Sequence, residues 1–319
     1  MAEQAIYYDT SLCTGCKGCQ VACKCWNNLP SPTELNVDEK TFTGTYQNPP
    51  DLNDMTRIIM TFNEETGGPK GIKWAFGRRS CQHCGDAPCA QICPSGAIYI
   101  DEETHLVTTD DTKCIGCQYC SIACPFDVPR YFDAGPDAIF KRTTINKCTG
   151  CVDRVRQGLD PACVTTCQPG ALKFGDRDEM IQLAHERVEW LKERGFEDAV
   201  VYGENEVGGL HVIQVLKYGV KAHEQVENPT VTPLTTAIEW MRPITGVVSG
   251  LTVLGLGAMA ALATGYRRDE LAYNVATTDT VDMTTETVVK HGDPQDPESV
   301  MDHIKAVPLF KDKKGGSDE

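Results

Sequence analysis

Short apolar runs bounded by polar turns recur through the first half of the chain. Ala5-Ile6-Tyr7-Tyr8, Ala97-Ile98-Tyr99-Ile100, Leu106-Val107 and Ala171-Leu172-Lys173-Phe174 have the length and flanks of strands. The run Leu210–Tyr218 alternates enough to add another. From Asp178 to Arg194 the period changes. Ile181, Ala184, Val188 and Leu191 fall at helical spacing, with Asp176 or Asp178 as cap and Gly195 as stop. Leu29 to Lys73, rich in Pro, Asn, Thr and Gly, predicts a loop-rich insertion.

Twenty-four consecutive residues between Arg242 and Arg267 carry no charge. A helix needs about 20 apolar residues to cross a bilayer core, so a single span is expected over 240–266. Trp240 and Tyr266 stand near its ends as interfacial anchors. Gly246, Gly250, Gly257 and Ala261 put small residues on one face. That stripe suits close packing on a partner helix or the ordinary tolerance of membrane helices for glycine. Arg267 and Arg268 follow the span, against Arg242 alone before it. This bias places the C-terminal tail in the cytoplasm and the rest on the outer face. The last fifty-three residues hold twelve acidic and seven basic side chains and predict a largely disordered or surface-lying tail.

The 319 residues suffice for one large or two ordinary domains. A net charge of −15 argues against a nucleic-acid partner, which would need a basic stripe. Met1–Tyr8 has no basic stretch and no apolar run of signal-peptide length, so no signal peptide is expected. A domain outside the membrane would then be exported with a signal-bearing partner.

The candidate chemistry lies in seventeen cysteines, which fall in four clumps. These are Cys13-x2-Cys16-x2-Cys19-x3-Cys23, Cys81-x2-Cys84-x4-Cys89-x3-Cys93, Cys114-x2-Cys117-x2-Cys120-x3-Cys124 and Cys148-x2-Cys151-x11-Cys163-x3-Cys167. The repeat reads as one two-clump module (clumps two and three) inserted inside another (clumps one and four). Tight C-x2-C-x2-C-x3-C spacing lets three sulfurs converge on one [4Fe–4S] cubane, while the fourth points to the neighbouring cluster. Zinc accepts thiolates too, but three cysteines within seven residues is not ribbon spacing. Disulfides do not require quartets at fixed offsets.

Exchange of fourth ligands within each module yields four quartets. The first is Cys13, Cys16, Cys19 and Cys167; the second is Cys23, Cys148, Cys151 and Cys163. The third is Cys81, Cys84, Cys89 and Cys124; the fourth is Cys93, Cys114, Cys117 and Cys120. The outer pairing rests on Ala171–Phe174 lying beside Ala5–Tyr8. Cys25 is left over and is expected as a small buried residue beside a cluster rather than a redox thiol. Lys17, Lys24, Lys113 and Lys147 could raise cluster potentials by approaching the sulfurs, but are expected to be solvated. His83 could ligate, yet sixteen spaced cysteines leave it surface or packing duty. No nucleophile, flavin or nicotinamide constellation is visible.

The expected fold is α+β. Two ferredoxin-like dicluster modules are nested, the outer over 1–35 and 136–178 and the inner over 76–135. The insertion covers 36–75, a flanking helix and strands 179–238, the transmembrane helix 240–266 and the tail 267–319. Beyond the cysteines, the chain carries Cys-Ile-Gly-Cys at 114–117, Ala-Cys-Pro-Phe-Asp-Val-Pro-Arg at 123–130 and Cys-Val-Asp-Arg-Val at 151–155. Pro-Ala-Cys-Val-Thr-Thr-Cys at 161–167 and Val-Gly-Gly-Leu-His-Val at 207–212 follow. In these motifs, the helix near Glu179–Gly195 and the final span, the chain resembles the iron–sulfur (beta) subunits of membrane-bound respiratory formate dehydrogenases. The resemblance covers roughly residues 5 to 268. It implies four [4Fe–4S] clusters and no catalytic site on this chain. It further implies a molybdenum or tungsten pterin catalytic subunit as donor, and a haem b membrane subunit that reduces quinone as acceptor. Export would ride on the catalytic subunit's twin-arginine signal. The long tail from Asp269 and the residue between Cys167 and Pro169 depart from the family pattern. Two other readings stand beside this one: the same wire serving another molybdoenzyme, such as a sulfur-compound reductase, or a zinc-stabilised membrane scaffold without redox work.

Overall fold

The computed structural model describes residues 3–30, 46–67, 71–133, 143–265, 271–273, 279–283 and 285–291. The first apolar run forms β1 (Gln4–Asp9), and the first clump leads into α1 (Gly18–Trp26), which carries Cys19 and Cys23 on its buried side. β2 (Ile59–Thr66) and β3 (Ile72–Arg79) form an antiparallel hairpin. The second clump holds the single turn α2 (Pro88–Gln91), started by proline. β4 (Ile98–Ile100) then pairs antiparallel with β5 (Val107–Thr109). The third clump holds α3 (Tyr119–Ala123), and β6 (Arg130–Asp133) pairs with β7 (Thr143–Asn146). The fourth clump contains α4 (Val152–Val155) and α5 (Ala162–Thr165) and runs into β8 (Leu172–Asp176). α6 (Arg177–Lys192), β9 (Val200–Tyr202), β10 (Val212–Leu216), α7 (Gly219–Ala222) and α8 (Pro233–Gly265) follow. β11 (Leu271–Tyr273), β12 (Thr280–Asp282) and β13 (Thr287–Lys290) are the last described elements.

One sheet organises the cysteines. Its order is β8-β1-β10-β9, with β1 antiparallel to β8 and parallel to β10. Ile6 lies opposite Phe174 and Val212, and Tyr8 opposite Leu172. Side chains alternate across a strand, so β1 serves two layers. Ile6, Tyr8, Leu172 and Val212 pack with Cys19, Cys23 and Cys163. Ala5, Tyr7, Ile213 and Val215 pack with Met180, Ala184, Val188 and Leu191 of α6. The sheet is thus a wall between the outer cysteines and a covering helix. Such two-sided burial is what parallel pairing requires.

α6 matches its expected stripe, except that Met180 rather than Ile181 is the fully buried residue of the first turn. The Asp176 carboxylate accepts from the Asp178 and Glu179 amides, closing the helix start. Gly195, at φ +84°, lets the chain leave.

Two expectations need correction. The insertion is not all loop: its second half is the β2–β3 hairpin, with Phe62, Trp74 and Phe76 in ring contact. Its turn-forming composition masked the strand residues Ile59–Phe62. The tail is not all irregular either, because β11, β12 and β13 make an antiparallel sheet from Thr- and Val-rich segments. The tail beyond His291 lies outside the described residues.

The chain divides into two units, Met1–Arg242 and Pro243–Glu319. The uncharged run lies within the 33-residue helix α8 up to Gly265. Among the described residues, however, no helix is long and apolar enough to cross a membrane. Side chains of 242–248, including Gly246, and of 262–265 lie outside the description, as do Tyr266, Arg267 and Arg268. Residues 249–261 are exposed, and a Cβ on Gly250 or Gly257 would meet nothing within 4 Å.

Candidate metal centres

Each clump opens on the same backbone device. The residue before its second cysteine has a positive φ: Gly15 at 64°, Gly116 at 71°, Gly150 at 68°. In the second clump that place belongs to His83, at φ 51°. The left-handed residue turns the chain so that cysteines three apart face one space. At Gly150 an added Cβ would also come 2.7 Å from Leu106 Cδ1.

The structure brings each expected quartet together. Cys13, Cys16, Cys19 and Cys167 line one pocket beside Tyr8 and Met60. Cys23, Cys148, Cys151 and Cys163 line another beside Ile6 and Ile58. Cys93, Cys114, Cys117 and Cys120 line a third beside Tyr131 and Ile145. The third quartet gathers too. Burial first, then the charges of Cys81, Cys89 and Cys124, push the Cys84 thiol far up.

The arrangement can be tested against the group it would hold. Among the described residues, which include all seventeen cysteines, no three His, Cys, Asp or Glu side chains close on one point as ligands of a single ion would. The thiols instead wall a gap. A cubane, whose four irons each take one thiolate, fits such a quartet. Burial is the largest cause pushing Cys19 and Cys151 up to about 12 and Cys124 up to about 11. Metal binding releases the protons that such thiols hold.

The quartets differ in exposure. Every cysteine of the second is buried, and the third has three buried and one half-buried. Only the first and fourth contain an exposed cysteine, Cys16 and Cys117.

Cys25 is exposed rather than buried, on an open groove with Trp26, Arg154 and Thr165. Of the four lysines, Lys17 lies 5.5 Å from the centre of the Phe62 ring and Lys24 donates to the Met55 carbonyl. Lys113 pairs with Asp110. Lys147 contradicts expectation: it is buried, and its ammonium lies 3.9 Å from Cys81 Sγ. His83 is buried as well, with Nε2 3.4 Å from Cys148 Sγ. Two neighbours were not singled out from the sequence. The Tyr131 hydroxyl lies 3.2 Å from Cys120 Sγ. Arg78 has no accessible surface at all. Period two on β3 was the available clue, since Arg79 turns outward to Asp51 and Asp127 and Arg78 must turn inward.

Quartets of thiols around shared gaps on ferredoxin-like modules define an iron–sulfur protein that carries electrons. Residues 72–177 match the family described as a 4Fe-4S dicluster domain. The chain is 41% identical over 217 residues to the nitrate-inducible formate dehydrogenase iron-sulfur subunit of Escherichia coli (strain K12), covering 68% of this chain and 69% of that one. It is 39% identical over 233 residues to the formate dehydrogenase-O iron-sulfur subunit of the same organism, covering 72% and 73%. It is also 34% identical over 183 residues to one chain of the anaerobic dimethyl sulfoxide reductase of Haemophilus influenzae, covering 56% and 77%. The chain belongs to the family of formate dehydrogenase iron–sulfur subunits. Its cofactors are [4Fe–4S] clusters, four by the count of its quartets, and it is an electron-transfer subunit rather than a catalytic one.

Proposed function

We propose that this chain relays single electrons through four [4Fe–4S] clusters from a formate-oxidising molybdenum or tungsten pterin subunit to a haem b subunit that reduces quinone. Each bound cluster supplies one reversible electron site. The first cluster is held by Cys13, Cys16, Cys19 and Cys167, the second by Cys23, Cys148, Cys151 and Cys163. The third takes Cys81, Cys84, Cys89 and Cys124, the fourth Cys93, Cys114, Cys117 and Cys120.

The observation that carries the reading is the succession of these quartets. Cys19 of the first lies within electrostatic reach of Cys163 of the second. Cys148 of the second reaches Cys81 of the third, and Cys89 of the third reaches Cys120 of the fourth. With exposed cysteines only in the first and fourth quartets, electrons enter at one end and leave at the other. Ile6, Tyr8 and Met60 keep water from the interior sulfurs.

Anaerobically purified protein should hold about sixteen irons with matching acid-labile sulfide. Cys23→Ser and Cys167→Ser should abolish different electron paramagnetic resonance signals; identical losses would overturn the outer assignment. Formate should reduce the clusters of the assembled complex. The likeness to a dimethyl sulfoxide reductase subunit supports a second reading, the same wire beside a sulfur-compound reductase. Clusters that formate leaves oxidised, but that such a substrate reoxidises after reduction with dithionite, would favour it.

The span over 240–266 belongs to the same proposal, supported by its uncharged length and the Arg267-Arg268 pair. α8 crosses the cell membrane once, with the clusters on the periplasmic face and the tail in the cytoplasm. Protease added to intact spheroplasts should then cut the cluster region and spare the tail.

A further inference from the structure

We propose that three buried side chains bridge the two junctions flanking the second cluster and hold its reduction potential up: Arg78 toward the first cluster, His83 and Lys147 toward the third. This rests on the ligand sets just given.

Arg78 poses the sharpest question. Among the described residues no oxygen or nitrogen accepts from its three guanidinium nitrogens, the Cys163 thiol lies in hydrogen-bond reach, and the residue is wholly buried. A cation so placed is untenable unless negative charge surrounds it. Its electrostatic neighbours are Cys163, Cys148, Cys19 and Cys23. Cys19 belongs to the first quartet and the other three to the second. The guanidinium therefore stands between two quartets, where it could donate to the sulfurs of the anionic clusters they would hold.

The second junction is hydrogen-bonded from end to end. The Val107 amide donates to His83 Nδ1 at 3.1 Å. An Nδ1 that accepts from an amide carries no proton of its own. The ring's proton therefore sits on Nε2, 3.4 Å from Cys148 Sγ of the second quartet. The Val107 carbonyl accepts from Lys147 Nζ at 2.6 Å, and that ammonium reaches toward Cys81 Sγ of the third quartet. A single residue of β5 thus ties together a donor to each cluster.

His83 also occupies the left-handed position that the other three clumps give to glycine. A Cβ there is strained, and strain persists where a side chain has work to do. Hydrogen bonds to sulfur and nearby positive charge favour the more negative, reduced cluster.

The test is redox titration of the assembled complex followed by electron paramagnetic resonance, with the second cluster identified by the signal lost in Cys23→Ser. Arg78→Met should shift the second cluster's one-electron equilibrium toward oxidised by tenfold or more, a fall of about 59 mV. Arg78→Lys should recover most of it, and the fourth cluster should not move. His83→Gly should relieve backbone strain and keep full iron content, yet lower the same potential by a smaller amount. An unshifted second potential in both Arg78→Met and His83→Gly, with iron intact, overturns the proposal. If neither Arg78 variant retains iron, His83→Gly decides alone. Iron far below sixteen in the unaltered protein would instead overturn the ligand sets.

Discussion

The inner and outer modules solve one packing problem at different sequence separations. The inner module has its two clumps close together in the chain, and an isolated strand pair, β4–β5, suffices behind them. Tyr99 and Ile100 of that pair remain exposed. In the outer module β1 and β8 play the same part, but they come from opposite sides of the inserted module. There the pair is widened by β10 and β9 and backed by α6. Closing a long loop costs entropy before any contact repays it. The extra sheet and helix offset that cost. Matching turns survive the difference: Gly96 donates to the Cys93 carbonyl and Gly170 to the Cys167 carbonyl, both glycines at positive φ. Shifting the proline one residue after Cys167 leaves this turn intact.

If the outer module depends on its sheet, a buried charge there should do the most damage. Ile6 has no accessible surface and faces the outer cysteines. Ile6→Asp should cost about 4 kcal/mol or more and remove the first and second cluster signals before the third and fourth. Equal loss of all four would erase the distinction between modules.

Acid should loosen the outer module next. Burial holds His223 down to about 4. Its Nδ1 donates to the Phe76 carbonyl of β3 and its Nε2 accepts from the Tyr218 amide. The neutral ring belongs to the folded state, while the unfolded chain protonates it near 6.5. Its contribution is therefore complete above pH 6.5 and is lost as pH falls toward 4, by roughly 3 kcal/mol. His223→Gln should flatten the denaturant midpoint measured across that window.

Two glycines compare turn positions directly. Gly150→Ala must hold φ +68° and push against Leu106, so it should cost about 2 kcal/mol or more. Gly170→Ala has open space and only its left-handed backbone to strain, so about 1 kcal/mol is expected. Chemical denaturation of both variants measures the difference. The smallest effect should come from Cys25→Ser, which should leave iron content and every cluster signal unchanged and stability within about 0.5 kcal/mol.

The cysteine spacing made the number and type of centres legible, because a cubane takes its ligands from a few consecutive residues. Strand and helix positions were legible where period and flanks agreed, as in β1, β8 and α6. The β2–β3 hairpin was not, since its apolar run sits in a segment of turn-forming composition. Nor was the burial of Lys147, whose side chain looks like any solvated lysine until β5 covers it. His83 was readable after the fact, as the one clump position where histidine replaces glycine.

From residue order alone came a chain that carries four iron–sulfur clusters and catalyses nothing itself. The expectation that Cys167 joins the first clump rested on a strand pairing across the whole nested module, and only the tertiary structure shows that pairing, between β1 and β8. That structure also decided that Arg78 lies among sulfurs. Ligand spacing is local and written in sequence, whereas the charge a cluster feels comes from residues that only folding brings near.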